Sequence, residues 1–242
     1  MMRLFFTLCL ILSFACRADT FVAAGDPWPP FLDPDDKEQG VSVAIVRAAL
    51  KTQGHELEFR FMPWARAMDG VKNANMDVLV SAWRTKEREA FLAFSEPYLE
   101  NAIKFITRKD DDFEFHGLQS LAGKAVGIVR GYGYGDEFLS ATHFKRPEVK
   151  EITLNIKKLI AGRIDLTLDD ELVAKSAISK KNPKLLQKIR FTNNALSRNS
   201  VHVASGLANA KHQQILDAFN KGLNSIKGNG EFDAILKQYK LK

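Results

Sequence analysis

Short apolar runs of strand length alternate along this chain with longer stretches of helical periodicity, and the alternation is run through twice. Thr20 to Ala24 reads as a strand ended by Gly25-Asp26-Pro27, Val43 to Thr52 as an amphipathic helix closed by Gly54, and Leu57 to Phe61 as a second strand. Trp64 to Asn73 is helical, Asp77 to Ala82 and Ile103 to Thr107 read as strands, and the acidic run Asp110-Asp111-Asp112 follows. The pattern then restarts, with a strand at Lys124 to Val129, a turn at Gly131 to Gly135 and a helix at Asp136 to Thr142. Val149 to Thr153 is expected as a strand, Ile156 to Ala161 as a helix and Asp165 to Leu168 as a strand. Val201 to Ala204 closes the strands, and helices near Gln213 to Ile226 and Glu231 to Tyr239 end the chain. This alternation predicts an α/β protein with mostly parallel sheets. Two sets, each about half the chain, predict two lobes with a cleft between them.

The first residues read differently. Arg3 precedes the apolar run Leu4 to Phe14, and Cys16-Arg17-Ala18 places small residues around a cleavage point. That is the pattern of a secretory signal peptide over residues 1–18, in a run too short for a transmembrane span. Cys9 and Cys16 both fall inside it, so the exported product has no disulfide framework. A lipid anchor on Cys16 is the alternative, and Ser13 and Phe14 fit it poorly. Without residues 1–18, Lys and Arg fall from 35 to 33 against 29 acids, a mild net charge of +4. The lysines of the C-terminal half, such as Lys180, Lys184, Lys237 and Lys240, alternate with apolar residues and acids rather than forming a block. They read as solvated helix faces, not as a nucleic-acid footprint.

Ligands of such sheets bind outside the carboxyl ends of the strands, and the unusual residues of this chain fall there. Asp26 and Trp28 follow the first strand, Trp64 the second, and Trp83 to Arg88 the third. In the second set they are Gly131-Tyr132-Gly133-Tyr134-Gly135 and Asp169-Asp170. Arg88 offers a carboxylate a rigid fork of donors. The aromatic residues would sandwich an apolar, ring-bearing or cationic group. Hydrolytic motifs are missing: there is no Gly-x-Ser-x-Gly turn and no His-Glu-x-x-His, and the five histidines lack metal-ligand spacing. Gly131, Gly133 and Gly135 do not make a nucleotide loop, because Asp136 stands where a third glycine is needed. No cofactor or metal is expected.

The order and spacing of several short matches resemble the bacterial extracellular solute-binding proteins of the amino-acid type, family 3, which feed ABC importers. They include Thr85-Lys86-Glu87-Arg88, Phe94-Ser95-Glu96-Pro97-Tyr98, Leu121-Ala122-Gly123-Lys124 and Gly162-Arg163-Ile164-Asp165. The resemblance implies a type II two-lobed periplasmic-binding-protein fold closing about a hinge on a small amino-acid-like or carboxylate ligand, as a monomer serving an ABC permease. It implies Arg88 as the grip on an α-carboxylate, the Tyr132-Gly133 backbone as its complement, and Asp170, with Asp169 adjacent, as the acceptor of an α-amino group. Asp170 also suits a helix N-cap. The chain departs from the pattern at Trp83 and Arg84, where amino-acid receptors carry small polar residues. The family's return segment implies one lobe of residues 19–107 plus 197–242 and another of 108–196. Two other classes share the fold: enzymes of the cyclohexadienyl dehydratase kind, for which Glu171 or Asp169 would be the general acid, and ligand-sensing partners of membrane receptors.

Overall fold

A computed structural model describes residues 19–130 and 132–241; the expected signal peptide lies outside the described residues. The chain runs β1 (Thr20–Gly25), α1 (Val41–Thr52), β2 (Glu56–Phe61), α2 (Trp64–Lys72), β3 (Val78–Trp83), α3 (Lys86–Glu89), β4 (Leu92–Phe94) and β5 (Leu99–Arg108). It continues with β6 (Val126–Val129), α4 (Asp136–Ser140), β7 (Glu148–Val149), α5 (Ile152–Ile160), β8 (Leu166–Asp170), α6 (Glu171–Lys181), β9 (Ile189–Gly206), α7 (His212–Gly228) and α8 (Glu231–Gln238). The strands follow the order β2-β1-β3-β9-β5-β8-β6-β7, with β4 paired to β9 off this path. At its two ends the sheet is parallel: β1 with β2 and β3, and β6 with β7 and β8. Its centre is antiparallel, because β9 returns against β3, β4 and β5, and β5 runs against β8.

Four apolar clusters flank this path, two in each lobe. Phe21 and Val80 join α1 and α7 on one face of the first lobe, while Ala24 and Leu79 meet Ala67 and Val71 of α2 on the other. In the second lobe Phe105 and Leu168 pack with Phe138, and Ile106 and Val129 pack with Ile152, Ile156 and Leu159 of α5. Strands covered on both faces need apolar residues at successive positions, which is why they stand out as continuous runs. A fully buried phenylalanine such as Phe105 or Phe219 contributes about 1.5–3 kcal/mol of burial. The entry to α1 depends on Gly40, whose φ of 101° is unsuited to other residues and whose Cβ would lie 2.4 Å from the Phe31 carbonyl oxygen.

The structure departs from the expected elements most of all in three places, besides starting β5 at Leu99 and adding the short α3 and β4. Ile152 and Thr153 begin α5 instead of ending a strand, since Ile152, Ile156 and Leu159 recur at helical spacing. The alternation places no helix at Glu171–Lys181, where α6 stands. The last strand extends from Ile189 to Gly206, far beyond Val201 to Ala204.

Candidate functional site

Asp26 and Trp28 leave the end of β1 in a tight turn, in which the Trp28 amide donates to the Leu32 carbonyl at 2.8 Å and the Phe31 amide to the Trp28 carbonyl at 2.9 Å. The turn fixes the indole, which stacks on Phe31 with centroids 4.6 Å apart and meets Trp83 edge-on at 6.0 Å. Trp64 is the first residue of α2, and Trp83 the last of β3. Arg88 sits on the short α3, capped by Thr85, whose hydroxyl accepts the Arg88 amide at 3.2 Å. Its guanidinium lies 5.2 Å from the Trp64 ring centroid, and Nη1 donates to the Trp83 carbonyl at 2.9 Å. One donor therefore anchors the fork, leaving its remaining donors for a ligand. Partial burial holds the guanidinium pKa below its ordinary value.

The opposite wall is the loop after β6. Tyr134 is buried, and its hydroxyl accepts the Val129 amide at 3.0 Å, which pins the loop. Tyr132 is 42% exposed and lies 6.2 Å from the Tyr134 ring. Gly133 faces Trp83: a Cβ there would come within 3.8 Å of the indole. Asp26, Trp28, Trp64, Trp83 and Arg88 thus meet Tyr132 and Gly133 around one cavity of about 240 Å³. Pro27, Ser81, Ile103 and Tyr134 complete its lining. A wider surface cavity of about 630 Å³ between Arg130 and Arg163 belongs to the second lobe alone. The smaller one has walls from both lobes.

Burial raises the pKa of Asp26 from its ordinary value and pushes that of Tyr132 up to about 12, with Asp169 and Asp26 adding to the latter. A polar ring around an apolar box suits a ligand with one anionic end and a flat or cationic remainder.

Asp170 is not part of this lining. Its Oδ1 accepts the Leu172 and Val173 amides at 2.9 and 3.0 Å as the N-cap of α6, and its Oδ2 accepts Asn101 Nδ2 at 3.2 Å and the Ala102 amide at 3.1 Å. Asp169 also stays out of the lining, and only its Oδ1 has a partner, the Asp170 amide at 2.8 Å. Arg84 pairs with Glu89 beside the cleft. Sequence reading missed Ser81, Ile103 and Asn101. Ser81 follows an apolar run as any strand-end serine would, and Asn101 lies ahead of the stretch expected as a strand, so neither carries a motif.

A family profile described as bacterial extracellular solute-binding proteins, family 3, matches residues 21–242. The arginine-binding periplasmic protein of Mannheimia haemolytica is 26% identical over 250 residues, covering 95% of this chain and 96% of that protein. The arginine-binding extracellular protein ArtP of Bacillus subtilis is 24% identical over 208 residues, covering 84% and 78%. Substrate-binding domain 2 of Lactococcus lactis GlnP, in an open conformation, matches with a TM-score of 0.71 at 24% identity, covering 92% of this chain and 96% of that one. That last likeness is one of fold.

Proposed function

The chain belongs to the bacterial extracellular solute-binding proteins, family 3, and we propose that this solute-binding protein captures a small amino-acid-like carboxylate between its lobes and delivers it, unreacted, to an ABC permease. The observation that carries the reading is Arg88, fixed at one donor, sharing a cavity with the Tyr132-Gly133 loop and three indoles. The ligand carboxylate meets the free donors of Arg88 and the loop backbone. Asp26, the acid that lines the cavity, takes an amino or guanidino group, and the indoles flank it. Arginine in the names of two relatives agrees with a cationic ligand.

Glu171, proposed as a general acid in the enzymatic alternative, is held ionised: burial works against its charge, but Lys104 at 2.7 Å and Lys175 outweigh it and keep its pKa below the usual value. Asp169, the other acid of that alternative, keeps its proton but is buried outside the cavity lining, and together these support the non-catalytic role. In this reading the protein works in the periplasm as a monomer after removal of residues 1–18. The lobes exchange along β5 and β9. Ile103 is the first β5 residue to pair with β8, so the first lobe takes residues up to about 101 and resumes near 199, a few residues inside the limits 107 and 197 read from sequence.

A thermal-shift screen with amino acids, small peptides, polyamines and organic acids identifies the ligand, since a ligand at 100 times its dissociation constant stabilises the folded state by about 2.7 kcal/mol. Calorimetry then compares Arg88→Ala with the unaltered protein. Truncating one member of a desolvated charge pair costs about 2–5 kcal/mol, and each 1.4 kcal/mol is about tenfold. Affinity should fall at least about thirtyfold. Unchanged affinity removes the site.

A further inference from the structure

Asn101 is 0% exposed and belongs to no motif, yet its amide joins the two lobes. On one side, Nε1 of Trp83 donates to its Oδ1 at 3.1 Å. On the other, its Nδ2 donates to Asp170 Oδ2 at 3.2 Å. An indole nitrogen can only donate, so the amide oxygen must face Trp83 and the amide nitrogen must face the carboxylate. The chain of bonds continues through Asp170 Oδ1 to the Leu172 and Val173 amides at the start of α6.

The bridge sits where the sheet changes hands. Trp83 and Leu99 both pair with Val201, so β9 runs between β3 and β5 and the indole reaches over it to Asn101. Two residues after Asn101, at Ile103, β5 begins to pair with β8. Trp83 itself packs against the main core of each lobe. An indole that forms the cleft wall is thereby tied, through one side chain on the exchanging strand, to the helix cap of the other lobe.

We propose that Asn101 is a positioning residue: its amide holds Trp83 against the ligand and couples occupancy of the cleft to the placement of α6. The proposal rests on the reading of the cleft as the ligand site. A ligand pressing on the indole cannot turn it without leaving the Asn101 oxygen and the indole nitrogen unpaired out of water, which is costly. By reciprocity, freeing the indole weakens the ligand, because binding must then include the ordering of Trp83.

The test uses Asn101→Ala and Asn101→Asp with the ligand found by the screen and shown to depend on Arg88. Asn101→Ala should bind about tenfold more weakly, chiefly through faster dissociation, and its ligand-free tryptophan emission should shift. Asn101→Asp separates positioning from mere support. Its carboxylate accepts from Trp83 but faces Asp170. On protonation it becomes a donor to Asp170 and restores the bridge. Trp83 from β3 and, opposite on β9, the uncharged Asn199 also face it, and neighbouring Glu100 is paired with Arg198 at 2.8 Å. Asp169 beside Asp170 titrates in the same window in every variant, which the Asn101→Ala profile takes into account. Affinity of Asn101→Asp should therefore recover toward that of the unaltered protein as pH is lowered from 8 to 5.5, relative to the Asn101→Ala profile. Equal affinity and emission in all three proteins overturns the proposal, as does an Asn101→Asp loss that does not depend on pH. Should Asn101→Ala fail to fold, Asn101→Asp at low pH carries the comparison. If no screened ligand depends on Arg88, the reading of the cleft fails, and the emission of the ligand-free variants still decides whether the bridge holds Trp83.

Discussion

Asp169 is 2% exposed, and its Oδ2 has no partner. Burial, with the neighbouring charge of Asp170 adding to it against the Asp170 amide, pushes its pKa up to about 8. In the unfolded chain an aspartate titrates near 3.9. Between those values the folded protein holds a proton that the unfolded chain has lost, so stability declines as pH rises through the window and levels off above about 8. Asp169→Asn preserves the shape and the Oδ1 acceptor but cannot ionise. Its melting temperature should match that of the unaltered protein near pH 4 and exceed it by several degrees at pH 8; parallel curves across pH 4, 6 and 8 would contradict this. The Asp169-Asp170 pair also marks the limit of reading residues from sequence. Two acids at the end of a strand read as ligand acceptors, and a cap and a ligand site call for the same residue type at the same place. Only the positions of the Leu172, Val173 and Ala102 amides reveal that both oxygens of Asp170 are engaged. Arg88, Trp28, Trp64 and Trp83 were legible because an arginine and indoles just past apolar strands have one shared direction to point, into the space beyond the strand ends.

Helix α7 packs on α1 through a glycine. A Cβ on Gly222 would lie 2.0 Å from the Ala49 carbonyl oxygen, and backbone cannot swing aside as a side chain can. Gly222→Ala must separate the two helices, at a cost of about 1–3 kcal/mol for such overpacking. At about 2–4 °C per kcal/mol in a protein of this size, a thermal melt should show a clear loss, while circular dichroism shows the helices retained. An unchanged melting temperature would mean that the helices are not held this close. Elements with one buried stripe, such as α1 and α7, follow a 3.6-residue pattern that a sequence displays. Helix α6 serves two cores, with Val173 in the first lobe's cluster and Ala174 and Ile178 in the second's, so its apolar residues form no single stripe. Residues 193–200 of β9 are polar except for Ala195 and Leu196 and none is fully buried, and the strand there is held by backbone pairing to β5 rather than by a buried face. Backbone pairing leaves no trace in the side-chain pattern.

Across the whole molecule, α6 is also where the lobes clasp. Lys180 near its end places Nζ 3.0 Å from Asp33 and 3.0 Å from Asp35, both on the turn after β1. Lys180 is 44% exposed, and pairs of that kind are worth about 0–1 kcal/mol. Lys180→Gln should therefore weaken ligand binding by no more than about fivefold, with the difference vanishing at high salt. Small-angle scattering should show the liganded variant less compact at low salt; an affinity loss that persists in high salt would point to another cause. The path of β9 has a consequence in time as well as in space. Trp83 and Leu79 of β3 wait for Val201 and Ala204, which lie beyond the whole second lobe in the sequence. A chain that emerges from its N-terminus first exposes the β3 edge until nearly all of it has arrived. The second lobe's β6, β8 and the outer half of β5 are by then complete. The inserted lobe is thus free to fold first, and the interval before β9 arrives is when an open strand edge is most exposed to wrong pairing and to whatever keeps nascent chains apart.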